Sequence, residues 1–311
     1  MVLISVIIPL YNKKNYIART IHSVLGQTVT DIEIIVVDDG SIDGSSEVVK
    51  TFHDPRIRLF RQENQGVSAA RNNGVKNASA DFLTFLDADD EWLPGHLDTL
   101  LRLQKKYPEA GIYTTTYKIL EPNGKIRPAK YRAIPVNPEE GLIPDYFKSA
   151  ALGDSPMNSS SVGIPKIIFN EFGGFPKNAW WGEDMDLFGR IALKYPTAFS
   201  WEWCVIYHWD ASERACKRPS TEVEPFVITA RKILQNSKLS GETRSYLGEY
   251  IARKEIYRAA CHLFMNNRDF ARDILKNVRT RIFFIPKISL YFFTFLPYFF
   301  VKKVLNIVFF K

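Results

Sequence analysis

With 311 residues, 46% apolar and 24% charged, the chain is long enough for one large domain with an appendage, and its composition excludes global disorder. The formal charge of +7 lies wholly at the C-terminal end: from Lys276 onward there are seven basic residues (Lys276, Arg279, Arg281, Lys287, Lys302, Lys303, Lys311) and no acid, so residues 1–275 are formally neutral. A basic tail loaded with Phe suits an anionic membrane surface and argues against nucleic acid as a partner.

The predicted elements begin with LISVII (3–8), a continuous apolar run ending at Pro9, as expected of a parallel strand covered on both faces. A helix follows, capped by Asn12 or Asn15, with Ile17, Ile21, Val24 and Leu25 on one face and Gly26 at its end. EIIVVD (33–38) is the second strand, a helix starts near Ser45, IRLFR (57–61) is the third strand, VSAARNNGVKNA (67–78) a helix, and FLTFLD (82–87) the fourth strand. This alternation predicts an open α/β sheet with right-handed crossovers. Leu93 to Tyr107 reads as a helix and GIYTTTYKIL (111–120) as a strand leading into the turn Pro122-Asn123-Gly124. Residues 127–158 read as loop, SSVGI (160–164) as a strand, and Glu183 to Lys194 as a helix. From 222 to 278 the pattern is polar and helical, with two packed helices meeting at Asn266-Asn267.

The expected units are 1–216, 217–280 and a tail, 281–311. The tail's longest uncharged run, ISLYFFTFLPYFFV (288–301), has 14 residues, short of the roughly 18–20 that span a bilayer, and Pro286 and Pro297 are expected to break it. Aromatics flanked by Lys302 and Lys303 suit a segment lying in the membrane interface; a helix packed on the main domain, or a tilted span, are the other readings. Cys204, Cys216 and Cys261 show no CxxC spacing and read as unpaired thiols in a reducing compartment. The N-terminal MVLISVIIPLYN has no basic leader or small-residue cleavage site, so it reads as a buried strand. The expected location is cytoplasmic, peripheral to the inner face of the cell membrane.

Three short motifs each follow the end of a predicted parallel strand: Pro9-Leu10-Tyr11-Asn12, Asp38-Asp39-Gly40-Ser41 and Asp87-Ala88-Asp89-Asp90. Ligands of open α/β sheets bind outside those ends. Asp87 and Asp89, spaced i, i+2, point the same way in an extended segment and can approach one cation. Carboxylates select Mg²⁺ or Mn²⁺, which take only one or two protein carboxylates when phosphates complete the shell. Asp39 can accept the N–H of a uracil ring or simply order its turn, and Tyr11 can face the base or pack. Gln65-Gly66-Val67-Ser68 precedes the helix carrying Arg71, which can steady the acidic loop, touch phosphate, or lie on the surface. Glu183 and Asp184 open a helix about 100° apart, with Asp186 close by and Trp180 and Trp181 just before as a sugar-stacking wall or as core. His208 ends a strand, and ASERACKRPS after it reads as a mobile loop whose Arg214, Lys217 and Arg218 can meet phosphates.

In this order and spacing, IPLYN, VVDDGSIDGS, NQGVSAARNNG, FLDADDEW and GGFPKNAWWGEDMDLFGRIA resemble the family 2 glycosyltransferases, over about residues 3–210. The resemblance implies a GT-A fold, a Rossmann-like mixed α/β sheet flanked by helices, here with a helical appendage and a hydrophobic basic tail. It also implies inverting transfer from a nucleoside-diphosphate sugar, with a UDP-sugar weighted by the family, to a glycan or lipid-linked acceptor in surface polysaccharide synthesis. On that basis Asp184 is the expected base with Glu183 in support. Pro9, Tyr11, Asp38, Asp39, Gln65, Arg71 and Asp87 form the donor-binding set, and Asp89, Asp87 and His208 hold Mn²⁺ or Mg²⁺. A sugar-1-phosphate nucleotidyltransferase is the nearest rival, but it needs a Gly-rich loop where this chain has PLYNKKNYI. A non-catalytic membrane scaffold on the same fold is the other alternative.

Overall fold

The computed structural model describes residues 2–177, 179–212, 219–236 and 239–308. In chain order it runs β1 (Ile4–Leu10), α1 (Ile17–Leu25), β2 (Ile32–Asp38), α2 (Ser45–Lys50), β3 (Ile57–Arg61), α3 (Val67–Asn77) and β4 (Phe82–Phe85). There follow β5 (Glu91–Trp92), α4 (His96–Lys106), β6 (Ile112–Leu120), β7 (Ile126–Pro128), β8 (Glu140–Leu142), α5 (Tyr146–Leu152), a 3-10 turn (Ser159–Ser161), β9 (Val162–Pro165) and α6 (Lys166–Glu171). Then come α7 (Glu183–Ala192), β10 (Thr197–His208), α8 (Pro225–Asn236), α9 (Gly241–Phe264), α10 (Arg268–Asn277), α11 (Phe284–Phe293) and α12 (Tyr298–Val308).

One sheet runs in the order β3-β2-β1-β4-β9-β6-β10-β5, with β7 added to β6 and β8 to β10. The first four strands are parallel; β9 lies antiparallel between β4 and β6, which makes the sheet mixed. From β1 the chain steps outward to β3 and returns on the other side of β1 as β4. Loops leaving β1 and β4 therefore diverge at their C-terminal ends and leave a crevice.

Strands β1, β2 and β4 are buried along their whole length because both faces are covered. Ile4, Val6 and Ile8 point to the layer of α1 and α4, while Ile7, Ile35, Val37 and Phe85 meet α3, α5 and α7 from the opposite face. The second of these cores continues through Phe226 and Ala230 of α8 into Leu247 and Tyr250 of α9. A third core starts only at Ala252, halfway along α9, and takes in Ala271, Leu275, Leu290, Val301 and Leu305. The expected boundary between 216 and 217 is thus spanned by a shared core, which joins residues before it to Phe226, Ala230, Leu247 and Tyr250 after it.

Several local expectations are corrected. Neither Asn12 nor Asn15 caps α1, whose N-cap position is Tyr16; instead Asn12, at φ 50°, accepts from the Ile42 N–H at 3.0 Å and ties two loops together. The fourth strand stops at Phe85, two residues short. The 127–158 stretch is not all loop: α5 lies in it, capped by the Asp145 carboxylate on the Lys148 N–H at 2.9 Å. Pro286 is accommodated in the first turn of α11, where no helical N–H is needed, while Pro297 separates α11 from α12. Among the described residues no helix is long and apolar enough to cross a membrane. Cys204 and Cys261 are buried free thiols, and Cys216 lies outside the described residues.

Candidate active site

The crevice between the ends of β1 and β4 opens into a cavity of about 550 Å³. Pro9, Tyr11, Asp39, Arg71, Asp87, Asp89, Glu183 and Asp184 all line it. Residues more than a hundred positions apart thus share one wall, and this cavity sits where the topology reverses.

The acidic loop after β4 is held from beneath. Thr20 of α1 donates to the carbonyls of Ala88 (2.9 Å) and Asp90 (2.8 Å), and Arg19 donates to that of Asp89 (2.7 Å). Asp90 faces inward, accepting from the Ser160 hydroxyl at 2.6 Å and the His208 N–H at 3.1 Å. With Asp90 anchoring the turn, Asp87 and Asp89 are left on the cavity side.

Arg71 is 2% exposed and joins the two acidic segments, with one guanidinium nitrogen 2.6 Å from Asp87 and another 2.5 Å from Glu183. Burial works against its charge, yet Asp87, Glu183 and Asp184 together hold its pKa above the ordinary arginine value. Its guanidinium lies 5.2 Å from the ring centre of Phe175. Phe175 belongs to the GGF turn, which Asn72 holds through reciprocal bonds of 2.9 and 3.0 Å to the Phe175 backbone.

Glu183 and Asp184 begin α7, where Gly182 supplies the left-handed turn at φ 68°. Burial pushes the Glu183 carboxyl up to about 7; Arg71 opposes the shift and Asp184 adds to it. Burial also raises Asp184, against the pull of Arg71. One Asp184 oxygen accepts from the Met185 N–H at 2.8 Å and the other from the Ser159 hydroxyl at 3.1 Å. Glu183 is thus locked in an ion pair, whereas Asp184 has only neutral donors on its oxygens. Trp180 and Trp181 both line the cavity, with ring centres 6.0 Å apart, so neither is a core tryptophan.

Asp39 accepts from the Gln62 amide (2.8 Å), the Gln65 N–H (2.9 Å) and the Gly66 N–H (2.8 Å). These use three of the roughly four acceptor positions of a carboxylate and leave about one for a ligand. It therefore both orders its turn and lines the cavity.

Three expected site residues lie elsewhere. Asp38 is fully buried and accepts from the Ser41 N–H (2.8 Å) and the Ser46 hydroxyl, so it builds the 38–46 loop and does not touch the cavity. The Gln65 side chain does not line the cavity; its backbone N–H serves Asp39, while its neighbours Asn64 and Gly66 face the space. His208 is buried and off the cavity wall, with Nδ1 3.1 Å from Asp210 and Nε2 3.3 Å from Glu91, so both ring nitrogens already meet carboxylates. Asp186 accepts from Arg190 and Thr229 (2.8 and 2.7 Å) and ties α7 to α8. Arg214, Lys217 and Arg218 lie outside the described residues.

Sequence reasoning missed Lys13. Its ammonium is 3.0 Å from Asp89 and 2.9 Å from the Ser212 carbonyl, which Tyr16 also anchors through the Ser212 N–H at 3.0 Å. Only its position three residues past the end of β1 distinguished it from the neighbouring Lys14. Ser159 and Tyr207 were also missed, since neither residue type carries a signal of its own.

Among the described residues no three His, Cys, Asp or Glu side chains form a ready-made metal cage. The donor set of one or two carboxylates does fit a hard divalent cation completed by phosphate oxygens. Asp89 already takes a cation, the Lys13 ammonium, which shows that its carboxylate is oriented to receive positive charge.

The sequence profile described as Glycosyl transferase family 2 matches residues 5–158. The glycosyltransferase GlyA of Streptococcus pneumoniae serotype 4 is 39% identical over 154 residues, 49% of this chain and 19% of that protein. This chain spans less than half the length of the first relatives it matches. Among solved structures, S. aureus TarS 1–349 in complex with UDP-GlcNAc superposes with a TM-score of 0.65 at 17% identity, covering 98% of this chain and 92% of that one. The mannosyltransferase PcManGT from Pyrobaculum calidifontis, in complex with GDP-Man and Mn²⁺, gives 0.61 at 16% identity, with 98% and 86% covered. At such identities the likeness establishes the fold: the expected GT-A sheet with its helical flanks.

Proposed function

Because the chain belongs, through residues 5–158, to glycosyl transferase family 2, we propose that it transfers a sugar with inversion from a nucleoside-diphosphate donor to an acceptor hydroxyl. The observation that carries this reading is the convergence of Asp39, Asp89 and Asp184 on one cavity, with Arg71 joining two of the acidic segments. Asp39 and Tyr11 border the end of the cavity suited to the base, Asp87 and Asp89 the diphosphate, and Trp180 and Trp181 the sugar and acceptor. A UDP-sugar is the first donor to test, followed by a GDP-sugar, since proteins of the same fold were solved with each kind.

Asp184 acts as the base. Its carboxylate removes the proton of the acceptor hydroxyl as that oxygen bonds to the anomeric carbon, and the nucleoside diphosphate departs with the electrons of the broken C–O bond. A raised pKa makes Asp184 a stronger base than a solvated aspartate. Glu183 cannot share this duty while paired to Arg71; it fixes the guanidinium that steadies Asp87. A Mg²⁺ or Mn²⁺ ion held by Asp89 and Asp87 would supply positive charge for the leaving diphosphate. His208 would serve it only after releasing Glu91 or Asp210.

The tail is proposed to hold the enzyme on the cytoplasmic leaflet, where a glycan or lipid-linked acceptor of surface polysaccharide synthesis is presented. The exposed Ile285 (76%) and Phe299 (82%), beside Lys302 and Lys303, support an interfacial position. The test is a donor screen: the protein is incubated with a panel of nucleotide sugars, and slow hydrolysis is measured with and without Mn²⁺. One donor should be hydrolysed in a Mn²⁺-dependent way, and Asp89→Ala should abolish this. Absence of turnover and of UDP or GDP binding across the panel would leave a scaffold. Release of pyrophosphate from a nucleoside triphosphate and a sugar phosphate would leave the nucleotidyltransferase.

A further inference from the structure

The helical appendage has a concavity of its own, an open cleft of about 860 Å³ where α9 meets the loop between α10 and α11. Five cationic side chains border it: Arg244 of α9, Lys276 at the end of α10, Arg279 and Arg281 of the loop, and Lys287 of α11. The lining holds one acid, Glu249, and the fold uses it internally. Its carboxylate accepts from the Thr280 hydroxyl (2.5 Å) and the Arg281 N–H (2.7 Å), bonds that set the course of the loop. Lys287 donates to the Val278 carbonyl at 2.7 Å and closes the other side. No acid pairs with Lys276, Arg279 or Arg281 among the described residues.

Like charges gathered on one concave surface repel, and at Lys276, Arg279 and Arg281 no ion pair among the described residues offsets that repulsion; a bound anion would. The apolar surroundings say which kind. Phe284 lines the cleft and is 58% exposed, and Ile285 and Ile288 continue the exposed apolar strip along α11. A free polyanion gains nothing from that strip, whereas an amphiphile uses both parts. We propose that this cleft is a lipid headgroup site. The phosphate of an anionic phospholipid seats among Lys276, Arg279 and Arg281, and its acyl chains run beside Phe284 and Ile285. The proposal rests on the membrane reading of the tail and gives it a specific point of attachment.

The test is sedimentation of the full chain with vesicles of phosphatidylcholine alone and of phosphatidylcholine with phosphatidylglycerol. The wild type should partition strongly onto the anionic vesicles. Each cation at an anionic surface contributes about fivefold, so Arg279→Gln with Arg281→Gln should lower the partition about 25-fold. The charge-matched pair Lys105→Gln with Lys125→Gln, on the catalytic layer, should stay within about twofold of wild type. An unchanged melting midpoint controls for folding in both variants. If the wild type sediments with neither vesicle, the membrane reading itself falls. If it sediments and the arginine variant does so equally, the headgroup site falls alone. Calorimetric titration with inorganic phosphate separates the remaining source: phosphate binding lost in the arginine variant, with vesicle partition unaltered, would assign the cleft to a soluble phosphate and overturn the lipid.

Discussion

Glu183 and Asp184 are adjacent, and what their oxygens touch separates their duties. Glu183 meets a buried guanidinium, Asp184 a hydroxyl and a backbone amide. Asp184→Asn should therefore keep donor binding and lose roughly a thousandfold in turnover, measured as kcat with donor Kd determined separately. Because burial raises both carboxyls, the acid limb of the kcat/KM profile should lie above the usual carboxylate range. Glu183→Gln removes a negative charge coupled to Asp184, so the limb should move to lower pH. A limb left at its wild-type position would separate the two groups. The same shift bears on stability. For a carboxyl raised from 4.5 to about 7, the stabilising contribution is complete below 4.5 and is lost as the pH rises through about 7.

At the scale of elements, the site depends on how α7 starts. Gly182 has φ 68°, and a Cβ there would stand 2.8 Å from the Glu224 side chain. Glu224 cannot swing aside: Tyr250 donates to it at 2.6 Å and Lys254 pairs with it at 2.6 Å. Gly182→Ala should cost about 2 kcal/mol or more, from the left-handed backbone and the clash together. It should also displace the first turn of α7, lowering kcat at least tenfold. A variant with wild-type melting and turnover would show that the turn tolerates a side chain. The GGF turn and Arg190 belong to the same device: Arg190 donates to the carbonyls of Phe172 and Gly174 and clamps the far end of α7. The sequence block GGFPKNAWWGEDMDLFGR is legible as a motif for that reason, although most of its residues shape the helix and do not touch the cavity.

Over the whole molecule, the catalytic layer and the first helices of the appendage share one core. Phe226 stacks on Phe147 with ring centres 5.7 Å apart, and Leu247 and Tyr250 close the same cluster. A fragment ending at residue 216 would uncover these contacts. At about 2 kcal/mol for each large side chain lost, the deficit approaches the roughly 5–15 kcal/mol that holds a domain folded. The fragment should be insoluble or strongly bind a hydrophobic dye, and a soluble, cooperatively melting fragment would restore the boundary that composition suggested. The tail follows the same logic. Leu290, Val301 and Leu305 pack against α9 and α10, so point substitutions such as Ile285→Ser test the proposed membrane contact better than deletion does.

By itself the sequence determined the strand–helix alternation, because β-branched runs buried on two faces have few other destinations. It determined too the acidic turns at the strand ends, because side chains in extended segments repeat every two residues. Only the tertiary structure decided which acids face the ligand. Asp38 beside Asp39, Asp90 beside Asp89 and Asp186 beside Asp184 are chemically alike, and each was sorted by partners more than five positions distant or on another element, such as Ser46, Ser160 and Thr229. Arg71 and Lys13 show the same limit from the cationic side. Their charge is written in the chain, but burial against Glu183 and proximity to Asp89 arise when helices 112 residues apart and loops 76 apart close on one crevice.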